Sequence, residues 1–328
     1  MQTALITGGA GFIGFNLARA LAPTCKKLVL CDNLQRGQLD ADMKEFLNKN
    51  PHVTFVDDDL TQSDAYKKLG NKYDAVFHFA AILGVEIVER DPIKVVTNNL
   101  LSTIHLLNWF IRTKSRRLVF SSTSEVYADG VSLGTLPIPT PESVPITIKD
   151  IFHPRSSYAI SKLVGEHLVA QYEQKYGFDF VIIRYHNVYG PRMGMDHVIP
   201  QMIQRLMGEE NPVIVRSPGH TRSFCHVDDA VAATLSLMDT PAGQGLIVNV
   251  GNDRQEISIL ELVSLLCRIM GIERKLEKGP DQSGSVFRRC PDLVFLRRLT
   301  GFEPNTSLKE GLEQTWSWYQ QNLLRRVS

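Results

Sequence analysis

An α/β fold, with a doubly wound parallel sheet and a smaller C-terminal α/β lobe, is predicted by three features of the sequence. Strand-like runs alternate with helical patterns through the first half, as parallel strands covered on both faces require. A glycine-rich turn separates the first run from the first helix. After Arg184 the alternation gives way to irregular segments rich in Gly, Pro and Arg. Taken in order, the strands fall at Thr3–Thr7, Leu28–Cys31, Thr54–Asp57, Ala75–Phe79, Arg117–Ser121 and Phe178–Arg184. Helices fill the gaps, notably Ile13–Leu21, Val95–Phe110 and Ser157–Tyr176. A seventh strand, Gly245–Val250, follows a helix begun near Asp228, so the sheet domain is expected to take residues 1–184 plus 226–250. Residues 185–225 and 251–328, with short helices such as Ile259–Met270, are left for the smaller lobe. That lobe is expected over the C-terminal ends of the strands, where open α/β sheets bind ligands.

Bulk properties narrow the function classes. With 328 residues, 43% hydrophobic and 22% charged, the chain has ordinary globular composition and enough length for a sizeable core. A net charge of +1 provides no global field to recruit nucleic acid or an anionic membrane. The basic run Arg112, Lys114, Arg116, Arg117 sits at an expected helix C-terminus, where cations are favoured, and reads as a solvated helix end. Five cysteines, scattered and never spaced as CxxC, argue against a disulfide framework and against a metal site. The chain opens on a strand and glycine turn, and no apolar run reaches the ~20 residues of a spanning helix, so the expected compartment is the cytosol.

Thr7-Gly8-Gly9-Ala10-Gly11-Phe12-Ile13-Gly14 follows the first strand and opens the first helix. In such a turn Gly8 permits the tight bend, Gly11 lets backbone approach a pyrophosphate, and Gly14 allows close helix packing. The phosphates then meet a helix N-terminus, with Phe12 and Ile13 in its first turn. Asp32 stands at the end of the second strand, about twenty residues on, where a dinucleotide fingerprint places its acidic residue, with Asn33 beside it. A carboxylate there accepts hydrogen bonds from the adenosine ribose and repels a 2′-phosphate, so NAD is expected over NADP, with Arg36 working against that preference. This is a Rossmann-type site. Asp59 and Leu60 follow the third strand and are placed to touch adenine. Ala80 and Ala81 end the fourth, where small side chains admit the cofactor. His78, just before them, reads as a satisfied core histidine.

Tyr158 and Lys162, four apart, share one helix face. Ser121-Ser122-Thr123-Ser124-Glu125 ends the preceding strand at the mouth of the same expected crevice. Tyrosine ionises near a pKa of about 10, so service as a base at neutral pH needs a cationic neighbour such as Lys162 or a positive nicotinamide ring.

Together the glycine turn, Asp32, the serine-rich strand end and Tyr158/Lys162 resemble the extended short-chain dehydrogenase/reductase family. They look most like its nucleotide-sugar epimerases, dehydratases and decarboxylases. The resemblance runs over nearly the whole chain, through Asn99, Arg184–Arg192, Thr221–Phe224, Asn249–Asn252 and Arg289–Asp292. It implies a homodimer packed through Val95–Phe110 and Ser157–Tyr176. It also implies Asn99 at the cofactor, Thr123 holding the sugar hydroxyl, and Val85, Ser124, Asn187, Arg192, Arg222 and Arg289 on the substrate side. Arginine suits a diphosphate because its planar fork pairs two oxygens at once, and Arg192 or Arg222 is an alternative for a sugar carboxylate. Arg288 reads as surface charge.

Glu125 is the informative position. A 4-epimerase needs only oxidation, rotation of the ketone and reduction, whereas family members that work on the carbon beside the ketone often place a carboxylate here. The leading expectation is therefore a UDP-glucuronate decarboxylase-like conversion through a 4-keto sugar. The alternatives are 4,6-dehydration, 4-epimerisation, and a non-catalytic NAD-binding sensor, against which the intact Thr123/Tyr158/Lys162 set argues.

Overall fold

The computed structural model describes residues 1–241 and 245–327. Six strands lead the sheet: β1 (Thr3–Thr7), β2 (Lys27–Asp32), β3 (Val53–Asp57), β4 (Ala75–His78), β5 (Arg117–Thr123) and β6 (Asp179–Tyr185). With Leu246–Val250 they form one seven-stranded sheet in the order Leu246–Val250, β6, β5, β4, β1, β2, β3. The β1–β2, β1–β4, β2–β3 and β4–β5 pairs are all parallel. The order 3-2-1-4-5-6 is that of a Rossmann fold, and the chain reverses direction across the sheet between β1 and β4. Every residue of β4, and all but the first of β1 and β6, is buried, as strands covered on both faces demand.

Six helices matter for the site: α1 (Phe12–Leu21), α2 (Ala41–Lys49), α3 (Val85–Arg90), α4 (Pro92–Phe110), α5 (Ala128–Ser132) and α6 (Ser156–Tyr176). α4 starts on two local signals: Asp91 caps it by accepting from the Lys94 amide at 3.0 Å, and Pro92 occupies its first turn. α6 ends where Gly177 takes a left-handed conformation at φ 66°. Apolar residues of both helices close on the sheet, Leu106, Leu107 and Phe110 from α4 and Val169 from α6 packing with Leu5, Leu118, Phe120 and Ile182. Gly165 makes the α6–β5 approach possible, because a Cβ there would lie 2.4 Å from the Phe120 ring.

Residues divide into two compact units. The first takes 1–126, 150–184 and 237–248 and contains the sheet. The second takes 127–149, 185–236 and 249–328. Two segments expected in the sheet domain, 127–149 and the helix Val227–Ser236, thus belong to the second unit. Within that unit, Asn249 explains part of the difference. Its buried side chain accepts from the Tyr127 hydroxyl at 2.9 Å and donates to the Thr140 and Asp292 carbonyls at 3.0 and 3.3 Å, tying 127–140 to the C-terminal segments.

Candidate active site

The turn after β1 is shaped by sterics. Gly8 has φ 69°, and a Cβ on it would lie 2.7 Å from the Ala80 amide nitrogen. A Cβ on Gly14 would lie 2.2 Å from the Gly8 carbonyl oxygen, so the helix packs directly on the turn. No side chain caps α1, whose N-cap is Gly11, and Phe12 and Ile13 begin the helix. These are the features a dinucleotide needs: backbone reachable at the turn, and helix N–H groups beyond it. At the end of β2 the nearly buried Asp32 carboxylate accepts from the Ala10 amide at 3.1 Å and the Leu34 amide at 2.9 Å, which fixes it beside the glycine turn. Asn33 is exposed and accepts from the Gln35 amide at 3.1 Å.

Other expected cofactor residues fall differently. Leu60 is buried in the core with Tyr66 and Leu106, so its side chain is turned inward and leaves only backbone for an adenine contact. Asp59 accepts from the Thr61 amide at 3.0 Å in a local turn. Asn99 is buried with its amide committed within the protein: its oxygen accepts from Ile82 N at 2.7 Å, and its nitrogen donates to Ile82 O at 3.0 Å and Ser161 Oγ at 3.1 Å. It braces the loop after β4 against α6. Ala80 and Ala81 lie half-buried in that loop.

The catalytic candidates meet where β5 ends and α6 begins. The Thr123 hydroxyl is hydrogen-bonded to the Tyr158 phenol and accepts from the Glu125 amide at 3.2 Å. Lys162 is buried, and its Nζ donates to the Ser121 carbonyl at 2.8 Å and lies 5.1 Å from the Phe120 ring centroid. Electrostatics here run against the simple expectation. Burial pushes the Tyr158 phenol up, the Glu125 charge pushes it further, and Arg36 and the Thr123 hydrogen bond oppose them. Burial draws Lys162 down to about 7, with Glu166 opposing. Glu166 is held in turn by the buried Arg184, whose Nε and Nη2 donate at 2.9 and 2.6 Å, and by the Ser122 hydroxyl at 2.5 Å. Ser124 is buried at the start of the single turn Ser124–Tyr127, and Val85 opens α3 behind Gly84 at φ 121°. The role of Ser121 as the anchor of Lys162 had no signal beyond its place at a strand end.

Within the second unit, a three-stranded sheet pairs Thr221–Ser223 with Glu256–Ser258 and with Arg288–Arg289. Its parallel register sets Arg222 opposite Arg289, bringing two expected diphosphate ligands to neighbouring positions. Arg222 donates to the Thr221 carbonyl at 2.7 Å and to Ser285 Oγ at 3.1 Å, which holds its fork in place. Arg288 pairs with Glu256 at 2.7 Å, in keeping with a surface role. Asn187 and Arg192 both take left-handed backbone, at φ 40° and 69°, Arg192 is buried, and the Asn187 amide donates to the Ser223 carbonyl at 3.3 Å. His186 stacks on Tyr127 and reaches Asn249 at 3.2 Å, while buried His226 stands 3.6 Å from Asp228. No cluster of three or more metal-ligating side chains occurs among the described residues.

Residues 4–251 match the model of the NAD dependent epimerase/dehydratase family. A UDP-N-acetyl-alpha-D-glucosaminuronate decarboxylase from Bacillus cytotoxicus is 31% identical over 326 residues, covering 97% of each chain. UDP-glucuronic acid decarboxylase 5 of Arabidopsis thaliana is 33% identical over 94% of this chain and 86% of its own. Among solved structures, UDP-glucuronic acid 4-epimerase from Bacillus cereus in complex with NAD superposes with a TM-score of 0.80 at 28% identity, over 98% of this chain and 97% of that one.

Proposed function

Because the chain belongs to the NAD-dependent epimerase/dehydratase family, we propose that it oxidises a nucleotide sugar at C4, works on the neighbouring carbon with Glu125, and so decarboxylates a UDP-linked uronate. When bound, NAD supplies reversible two-electron oxidation at C4, and Asp32 at the ribose favours it over NADP. Tyr158 takes the proton of the C4 hydroxyl while Thr123 holds the same oxygen. The resulting 4-ketone makes a C6 carboxylate a β-keto acid. Loss of CO2 leaves an electron pair at C5, and Glu125, having taken up a proton from solvent, delivers it there and returns to its charged form. Reduction at C4, with Tyr158 returning its proton, completes a redox-neutral cycle. Arg222 and Arg289 would pair the diphosphate, and Arg192 the uronate carboxylate.

One arrangement carries this reading: Glu125 stands in the turn that ends β5, its amide donating to the Thr123 hydroxyl at 3.2 Å, near enough for its charge to push the Tyr158 phenol up. For an enzyme that only rotates a ketone, that carboxylate keeps the phenol protonated, so less of the base is available, and gives nothing back. A reaction that moves a proton beside the ketone uses it. The decarboxylases among the relatives support the same choice. The enzyme is further read as a cytosolic homodimer joined through α4 and α6. No helix among the described residues is long and apolar enough to cross a membrane.

Glu125→Gln tests the assignment. Oxidation at C4 keeps Tyr158 and Thr123, so the variant should accumulate NADH and a 4-keto sugar when offered UDP-glucuronate or its N-acetylated relative. Overall turnover should fall on the order of 10²-fold, the usual worth of a general acid–base group. Turnover close to the parent's, with no solvent deuterium at C5 of the product, would instead identify a 4-epimerase.

A further inference from the structure

His78 is wholly buried beside the candidate site, and the chemistry above does not use it. Its surroundings define its protonation. The Thr7 hydroxyl accepts from the Phe79 and Ala80 amides, both at 3.2 Å, which occupies its lone pairs and leaves its proton for His78 Nδ1 at 2.8 Å. His78 Nε2 therefore carries the ring proton and donates to Thr103 Oγ1 at 3.2 Å. Thr103 passes its own proton to the Asn99 carbonyl at 2.8 Å. From Asn99 the chain continues through its side chain to Ser161 Oγ, which donates to the Tyr158 carbonyl at 2.8 Å. A second route leads through packing: the His78 ring lies 5.9 Å from that of Phe120, on which Lys162 Nζ rests at 5.1 Å. Burial and the nearby Lys162 draw His78 down to about 3, so the ring stays neutral wherever the enzyme works.

We propose that His78 is a positioning residue, tying the β1 turn and the loop after β4 to the first turns of α6, so that Tyr158 and Lys162 stand in register with the dinucleotide turn. Three of the links, Thr7 to His78, His78 to Thr103 and Asn99 to Ser161, are buried hydrogen bonds between different elements, while Thr103 to Asn99 and Ser161 to Tyr158 close within α4 and α6. The Thr7 end holds Ala80, against which Gly8 is packed, and the Asn99 side chain clasps Ile82 by both its backbone groups. The Ser161 end meets the backbone carbonyl of Tyr158, in the first turn of α6. A chain of this kind couples its members, so cutting it anywhere has much the same consequence.

The proposal rests on Tyr158 being the base, and the test separates the two ideas. In the NAD-bound enzyme, His78→Phe keeps a ring against Phe120 and removes both hydrogen bonds, while Ser161→Ala cuts the last link with the loss of one hydroxyl. Each should lower kcat on the order of 10-fold, with KM and bound NAD within about two-fold, and the double variant should lose little more than the worse single one. Hydrogen exchange in His78→Phe should rise at amides 158–162, although the hydrogen bonds of residue 78 go to Thr7 and Thr103. Thr103→Val with Ser161→Ala repeats the cycle without touching the ring, so a poorly folding His78 variant leaves the test intact. Multiplicative losses in kcat, or unchanged kcat with unchanged exchange at 158–162, overturn the proposal. A parent enzyme that turns over no nucleotide sugar refutes the functional reading alone, because the exchange comparison still decides the relay.

Discussion

Tyr158 and Lys162 stand one helical turn apart, and burial drives both toward their neutral forms, the phenol upward and the ammonium down to about 7. For Lys162 this has a consequence for stability. Its pKa is near 10.5 in the unfolded chain and about 7 in the folded one, so between these values the unfolded state binds more protons. Stability therefore rises with pH across that window; below about 7 the full penalty is present, and above 10.5 it is gone. Lys162→Met should stabilise the cofactor-free protein at pH 6–7, by an amount on the order of a few kcal/mol, and the gain should shrink toward pH 10. Denaturant unfolding at several pH values measures it, and a gain independent of pH would refute the assignment. Residues of this kind were legible in the sequence because their spacing is local: Gly8, Gly14 and Asp32 by their places around one turn, Tyr158 and Lys162 by the helical repeat. The duties of Asn99 and Leu60 were not. Asn99 is committed to Ile82 and Ser161, and Leu60 to the core, and both depend on partners far along the chain.

At the scale of elements, the approach of α6 to β5 sets where the catalytic pair can stand. Gly165→Ala tests it, because two effects of opposite sign compete. Alanine is worth about 1 kcal/mol over glycine inside a helix, whereas overpacking a core costs roughly 1–3 kcal/mol. A Cβ 2.4 Å from a ring atom is far inside contact distance, and Phe120 is wedged between β5 and α6, so overpacking should win. The expected result is a net loss of about 1–2 kcal/mol in chemical denaturation, with a fall in kcat as the ring under Lys162 shifts. A more stable variant of unchanged activity would show that the contact is soft. The strands and long helices of this region were read from hydrophobic period to within a few residues, because burial on both faces imposes that period over long stretches. The period fails for α2, which buries only Met43 and Phe46, too few anchors to mark a helix. It is equally silent on membership of a unit: Tyr127 and Thr140 join the second one through Asn249, more than a hundred residues downstream.

For the whole molecule, the open question is whether two chains share α4 and α6. Apolar side chains remain exposed on both helices: Ile93 at 78%, Leu101 at 37% and Val164 at 36%. Ile93 and Leu101 lie eight apart, on one stripe of α4, while the opposite face of that helix is buried against the sheet. A twofold interface along these stripes would meet itself, so one substitution enters it twice. Leu101→Asp with Val164→Asp would then set four carboxylates into a dry contact, each lacking a partner and facing its own symmetry mate. Burying unpaired charge costs several kcal/mol, and every 1.4 kcal/mol is about ten-fold in the association constant. The doubly substituted protein should run at the mass of one chain in light scattering, at concentrations where the parent runs at twice that mass. Circular dichroism should be unchanged, because both positions face outward. Turnover per chain should fall as well, since α6 carries Tyr158 and would lose the support of the second copy. A parent that is already monomeric, or a variant that stays dimeric, would place the contact on some other face.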